Sequence, residues 1–382
     1  LNPLELVRQA RDSTRMADLN TLNKALSIYQ SSGQTNLGVA NTVYVSIPKN
    51  VAADCSDLGL PALPSGWTYA CVASSTLQKI DGTGWIPLTF SAVSYGTPLE
   101  KLPVDPINST STRNYYTYVM GGSWQLAASF ESVKYKMGGS ADKTSKDGGS
   151  YPGLYEEGTN LTLLPIDYGD SSLVGYWKFD EGGTNSTSTD SSGMGNNGAW
   201  SGTGTHYTAG KVGQYTGQFN GTDDYVSIGD KDNLSFPNNI FTIIFWMKAS
   251  DTTSLIGILG KRGSPWEYSI YTNSPPAISC VAWNSGGGNV YANIGTNYDT
   301  LWNLYAYVGD GAIAQLYKNG ISLISTPKIA GNNMSNTSVP FEIGRGMAAG
   351  ATNYMKGFID DVRIYNRALS ATEVTAIYNS TK

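Results

Sequence analysis

Charge is scarce in this 382-residue chain. Asp, Glu, Lys and Arg make up only 14% of it, and 25 basic against 30 acidic residues leave a net charge of −5. No run of Lys or Arg occurs, so the clustered cations that grip phosphates are missing and a nucleic-acid partner is excluded. There is one histidine, His206, in the loop-like stretch Ser-Gly-Thr-Gly-Thr-His-Tyr, so a His-rich metal site is excluded and any His base must be this residue. No stretch of about 20 apolar residues is present, so no membrane span is expected. The first residues lack the pattern of a signal peptide and enter a helical pattern without an evident N-cap, as if a longer helix preceded them.

Cysteine is also rare, with three in the chain. Cys55 and Cys71 lie close together in a loop-rich region, as a disulfide in an oxidising compartment would require, and closing that loop stabilises by about 3 kcal/mol in the entropic description. The alternative is a pair of buried free thiols. Cys280 sits in the strand-like run Ala277-Ile-Ser-Cys280-Val-Ala-Trp283 and reads as a small buried residue, not a nucleophile. What the chain has in quantity is Gly, 44 residues, and Tyr, 25 residues, a balance that favours strands joined by turns. A single core seldom grows past about 250 to 300 residues, so two domains are expected and a mainly β class.

Between Pro3 and Tyr29 there is no Gly, and Leu19, Leu22, Leu26 and Tyr29 recur at spacings of three and four, which places them on one helix face. The other face carries Arg8, Arg11, Asp12, Arg15 and Asp18. Thr42–Ile47 reads as a strand. Tyr115–Val119, the Gly121-Gly122 turn and the alternating Trp124, Leu126, Ala128 and Phe130 read as a hairpin. One long helix packed on a small antiparallel sheet makes an α+β unit over residues 1–136. Residues 137–170 read as linker and lead-in: Met137 to Tyr151 is small and polar throughout, and Tyr155 to Asp170 mixes apolar and acidic residues as an ordered lead-in to the second domain. From residue 171 to 382 short strands follow one another, Asn319-Gly320 marks a two-residue hairpin, and Ser370-Ala-Thr-Glu373 opens a last short helix with a capping box. This is the pattern of a β-sandwich or jelly roll.

Two regions resemble known families. Asn2-Pro3-Leu4-Glu5 through Arg11-Asp12-Ser13-Thr14-Arg15-Met16-Ala17-Asp18-Leu19, with Leu102-Pro103-Val104-Asp105-Pro106 and Tyr115-Tyr116-Thr117-Tyr118, is similar to a bacterial type IV pilin or pseudopilin just after its membrane helix. That resemblance implies a preceding apolar half-helix through which other pilin subunits are the partners. Gly175-Tyr176-Trp177-Lys178-Phe179-Asp180-Glu181-Gly182, Asp190-Ser191-Ser192-Gly193, Phe219-Asn220-Gly221-Thr222-Asp223-Asp224 and Gly357-Phe358-Ile359-Asp360-Asp361-Val362-Arg363 resemble a laminin-G-like, concanavalin-type jelly roll in four ordered blocks.

The second resemblance implies that the first and last strands lie side by side, which would gather Asp180, Glu181, Asp190, Asn197, Asp360 and Asp361 around one structural Ca²⁺, an ion that takes six to eight oxygens. Asx-turns are the plainer role for Asp190 and Asn197. Asp360 and Asp361 are consecutive on a strand and should face opposite ways, so at most one is expected as a ligand. Candidate glycan-binding groups are Trp266, Tyr268, Tyr271, Trp283, Asn284, Tyr291 and Arg345, since sugar C–H faces pack on rings while amides and guanidinium groups bind hydroxyls; each has a core role as its alternative. Trp177 and Trp246 read as core. No Glu-x-Asp-x-Glu strand motif occurs, and the pairs Glu156-Glu157 and Asp223-Asp224 are consecutive, so no catalytic set is expected.

Together the two resemblances imply an adhesin-like protein of a bacterial cell surface or pilus, extracellular and anchored as a precursor, whose lectin-like head binds glycans or surface proteins. The alternatives are a structural pilin subunit with a decorating head and, weaker still, a glycan-cleaving enzyme.

Overall fold

The apolar spacing after Pro3 becomes helix α1 (Pro3–Ser31) of 29 residues. Asn2 caps it, its Oδ1 accepting the Leu4 N–H at 3.1 Å, and Pro3 opens its first turn, so the start of this helix does carry a cap. Leu19, Leu22, Leu26 and Tyr29 are buried together with Trp85, Tyr116, Tyr118 and Trp124 in one core. In this computed structural model every residue is described except 1, 53, 65, 95, 185, 264, 265, 275, 292, 293, 349 and 350. The chain forms two units, Leu1–Ser171 and Ser172–Lys382.

In the first unit α1 accompanies a five-stranded sheet in the order Thr68–Ala70, Thr42–Val45, Tyr116–Met120, Trp124–Ser129, Leu154–Gly158. The hairpin falls where the sequence puts it, with Tyr118 opposite Leu126 and Gly122 supplying a φ of +78° at the turn. Cys55 and Cys71 are joined as a disulfide.

One expectation for this unit needs correction. Residues 137–170 are neither a linker nor a lead-in to the second unit but part of the first. They contain the fifth strand, whose Glu157 lies opposite Leu126, and they bury Tyr151, Leu164, Ile166 and Tyr168. The apolar residues there are too irregularly spaced to show a period, and side chains supply the order: Gln125 Oε1 accepts the Leu163 and Leu164 N–H groups, and Asp142 accepts those of Gly138 and Ser145. The charged face of α1 is partly buried. Asp12 and Arg15 are fully buried. The Arg15 guanidinium bonds Asp105 through Nε and Nη2, at 2.6 and 3.0 Å, and Asp12 and Glu131 through Nη1, both at 2.7 Å. Asp12 also accepts the Glu131 and Ser132 N–H groups, which ties the chain after the hairpin to the helix.

The second unit is a sandwich of two sheets. One runs Ile321–Pro327, Ile313–Lys318, Asn303–Asp310, Ile240–Ala249, Lys356–Tyr365, Tyr215–Asn220, Tyr207–Ala209, with Leu173–Trp177 also paired to Lys356–Tyr365. The first and last long strands are therefore neighbours, Trp177 opposite Val362. The other sheet runs Ile294–Asn297, Ala277–Ala282, Tyr268–Ser274, Gly257–Lys261, Phe341–Ile343, Tyr225–Gly229, Gly198–Ser201, Thr187–Ser188. Alternate residues of both, among them Trp177, Phe241, Phe245, Ile270, Cys280 and Phe341, fill the space between. Trp246 is buried elsewhere: its ring packs on Tyr378 of helix α2 (Ala371–Thr381), and its Nε1 donates to Thr381. Ser370 and Glu373 form the capping box of α2. Asn319 and Gly320 both take positive φ, as a two-residue hairpin turn requires.

Candidate functional site

The second sheet buries Tyr268, Ile270, Cys280 and Ala282 in the sandwich core. Strand alternation therefore turns Tyr271, Val281 and Trp283 to the outer face, where they form a separate small apolar cluster with Trp266 beside them. Into this cluster runs Arg262, one residue past the strand Gly257–Lys261. Its guanidinium carbon lies 5.5, 5.0 and 5.3 Å from the ring centres of Trp266, Tyr271 and Trp283. Trp266 meets Trp283 edge to face at 5.2 Å.

This cation has no hydrogen-bonded or ion-paired acceptor among the described residues, and its Nε and Nη1 are buried without a partner. Burial lowers its hold on the proton below the usual arginine value, the Tyr271 hydroxyl acting the other way. A desolvated cation–π contact contributes about 2 kcal/mol, while an unmet charged donor costs more than the ~1–3 kcal/mol of a neutral one. The three rings offset much of that cost and leave a cation that still lacks an anion.

A second stacked guanidinium on the same face is satisfied. Arg345 lies 3.8 Å from the Tyr225 ring centre and forks onto Glu342, with Nε to Oε2 at 2.8 Å and Nη2 to Oε1.

The structure thus sorts the expected ligand-binding residues. Trp266, Tyr271 and Trp283 come together. Tyr268 and Tyr291 do not join them: both belong to the sandwich core, their hydroxyls bonded to the carbonyls of Leu234 and Asn239. Asn284 follows Trp283 and holds a turn, its Oδ1 accepting the Gly286 and Gly288 N–H groups. Arg345 is occupied by Glu342. Arg262 was not legible, because Gly257-Ile-Leu-Gly-Lys261 is too short and glycine-rich to read as a strand, and only the strand aims the next residue at the rings.

The residues expected around calcium bond first to the protein itself. Asp180 Oδ1 accepts the Gln214 and Tyr215 N–H groups at 2.7 and 2.9 Å. Asp190 accepts those of Tyr176, Ser192 and Asn196, and Asn197 Oδ1 accepts that of Asp190. Glu181 Oε1 takes the Thr189 N–H at 2.6 Å, and Asp360 Oδ2 takes those of Lys211 and Val212. Each of these side chains gives an oxygen to N–H groups, Glu181 Oε2 and Asp360 Oδ1 are buried without a hydrogen-bond partner, and among the described residues no three His, Cys, Asp or Glu side chains are grouped to hold a metal. The simple alternation expected at Asp360-Asp361 also fails. Asp361 has a φ of +52° at an irregularity in the pairing with Ile240–Ala249, and both side chains are buried. Asp361 accepts from the Tyr176 hydroxyl and pairs with Arg363. Burial drives the Asp360 carboxyl well above the usual range, and the charges of Asp361 and Asp180 add to the effect while the Lys211 and Val212 N–H groups oppose it.

His206 stacks on Trp200 with ring centres 4.4 Å apart, and its Nε2 lies 3.5 Å from Asp224 Oδ1. No hydroxyl or thiol nucleophile bonds to it among the described residues.

Residues 220–375 match the sequence profile of the concanavalin A-like lectin/glucanases superfamily. The second unit is a concanavalin-like β-sandwich, and the chain as a whole is mainly β. No curated protein matches the sequence. Similar solved structures include the binding domain of Paraclostridial Mosquitocidal Protein 1, 17% identical over 55% of this chain and 52% of that one with a TM-score of 0.45. Domain 4 of AbnA, a GH43 extracellular arabinanase from Geobacillus stearothermophilus in complex with arabinotriose, is 20% identical over 55% of this chain and 98% of that one, with a TM-score of 0.41. The binding domain of botulinum neurotoxin DC in complex with rat synaptotagmin II is 15% identical over 55% of this chain and 52% of that one, with a TM-score of 0.44. The match spans about half the length of the two toxin binding domains.

Proposed function

We propose that this chain is an extracellular, adhesin-like protein whose sandwich is a lectin-like head for glycans or surface proteins and whose first unit is a pilin-type subunit. The observation that carries the binding half is the outer-face cluster of Trp266, Tyr271 and Trp283 around Arg262, on a sandwich whose sequence matches a superfamily of lectins and glucanases. Binding is favoured over turnover because the aromatic cluster around Arg262 carries no carboxylate, while the carboxylates beside the first strand lie buried and bonded within the sandwich. A glycan array and a surface-protein binding assay with the full chain test it. Retention that falls about tenfold in Trp266→Ala is expected, since a stacked aromatic in a binding site is commonly worth a kcal/mol or more; an array and assay with no ligand at all would count against a recognising head and favour a purely decorating one.

The pilin half is supported by the opening turns of α1, where Leu4, Leu6 and Val7 are exposed, as a helix end that packs on other copies would have them. Antibody against the chain should then label purified filaments of the source cell. Filaments free of it would remove this half and leave the head untouched.

A further inference from the structure

Two guanidinium groups stack on rings on the outer face of the second sheet, and only one has an acid beside it. Arg345 is neutralised by Glu342. Arg262 is partly buried against three rings, and its Nε and Nη1 are buried with no acceptor among the described residues. A partly desolvated cation with two buried donors and no counter-ion is matched by an anion that comes from outside.

We propose that this anion is the carboxylate of an acidic saccharide and that Arg262 is its anchor, which rests on the lectin-like reading above and names its ligand class. A guanidinium is a flat fork whose N–H pairs fit the two oxygens of a carboxylate. The surroundings favour a sugar over an acidic peptide. Trp266 is the one ring of the three that is only partly buried, and it offers an apolar face beside the cation for the C–H surface of a pyranose. The chain carries a net charge of −5, so no long-range field draws in an acidic ligand of either class, and the selection of acid over neutral sugar rests on this one local cation. As the rings stand, Nε and Nη1 are shut off from solvent. The carboxylate reaches them as Trp266 moves off the guanidinium and onto the sugar, so binding changes tryptophan emission.

The test titrates the full chain, by calorimetry and by tryptophan fluorescence, with oligogalacturonide, oligomannuronate and hyaluronan fragments and with their carboxyl-reduced counterparts. The wild type should prefer an acid form by about tenfold, as a charge-assisted fork implies. Arg262→Gln should lose that preference while melting as the wild type does, and Arg262→Lys should keep part of it. Should Arg262→Gln melt lower, the comparison passes to Arg262→Lys, and an unchanged affinity for the acid in that variant would overturn the forked contact. Equal binding of acid and reduced forms by the wild type overturns the role of Arg262 and leaves the lectin-like head standing. Failure of every saccharide, acidic and neutral, overturns both. Binding of polyglutamate through Arg262 with no saccharide bound overturns the sugar and leaves an acidic protein as the ligand.

Discussion

Replacing Arg15 by alanine leaves Asp12 and Asp105 without their countercharge in a fully buried setting. Loss of one partner from a buried ion network typically costs about 3 to 5 kcal/mol, so denaturant unfolding of Arg15→Ala should show the first unit destabilised by about that amount. Arg15→Lys should recover little, because one ammonium cannot reach three carboxylates in the directions a guanidinium does. Asp147 makes the opposite kind of statement. Burial, opposed by the Gly149 and Glu156 N–H groups and reinforced by Asp142, pushes its carboxyl from 3.8 up to about 7. Between those two values the folded chain holds a proton that the unfolded chain releases, so the contribution of this group is whole at low pH and is lost as pH rises through about 7. The melting midpoint of the first unit should fall between about pH 4 and about pH 7, and Asp147→Asn should flatten that slope. A slope unchanged in the variant would assign the pH dependence to other groups.

At the scale of elements, the turn at Asn319-Gly320 holds two strands in register beside α2. A methyl group on Gly320 would stand 3.3 Å from Thr375 and Tyr378 at a φ of +76°. Gly320→Ala should therefore cost about 1 to 2 kcal/mol in the second unit, measured by denaturant unfolding. The elements that sequence made legible are those whose signal is local. The i, i+3, i+4 spacing of Leu19, Leu22 and Leu26 marks α1, the Asn-Gly pair marks a hairpin, and Ser370 with Glu373 marks α2. What stayed hidden depends on partners distant in sequence. The strand Leu154–Gly158 carries Glu156 and Glu157 and looks solvated until it pairs with Trp124–Ser129. The site is split in the same way. Trp266, Tyr271 and Trp283 stand out as large rings, but Tyr268 and Tyr291 stand out equally, and only strand phase separates core from surface. Arg262 has no local mark at all.

For the whole molecule, two units with separate cores imply two separable stabilities. Reduction of Cys55–Cys71 should weaken the first, by about 3 kcal/mol for a loop of this length, and leave the second unchanged. Calcium should matter to neither. A ligand that binds only the folded state must raise its melting midpoint, and the oxygens of Asp180, Asp190 and Asn197 already face N–H groups, so equal midpoints in excess calcium and in chelator are expected. A rise of several degrees with calcium would mean that these carboxylates exchange their donors for an ion.

Cys280 then acquires a use. With Cys55 and Cys71 joined, it is the only thiol in the chain; it lies in the sandwich core, and burial pushes its pKa up, so it is silent toward alkylating reagents while the sheets are closed. Its labelling can occur only when the second unit opens, and the labelling rate across a denaturant series would time that opening in the native sequence with no reporter added.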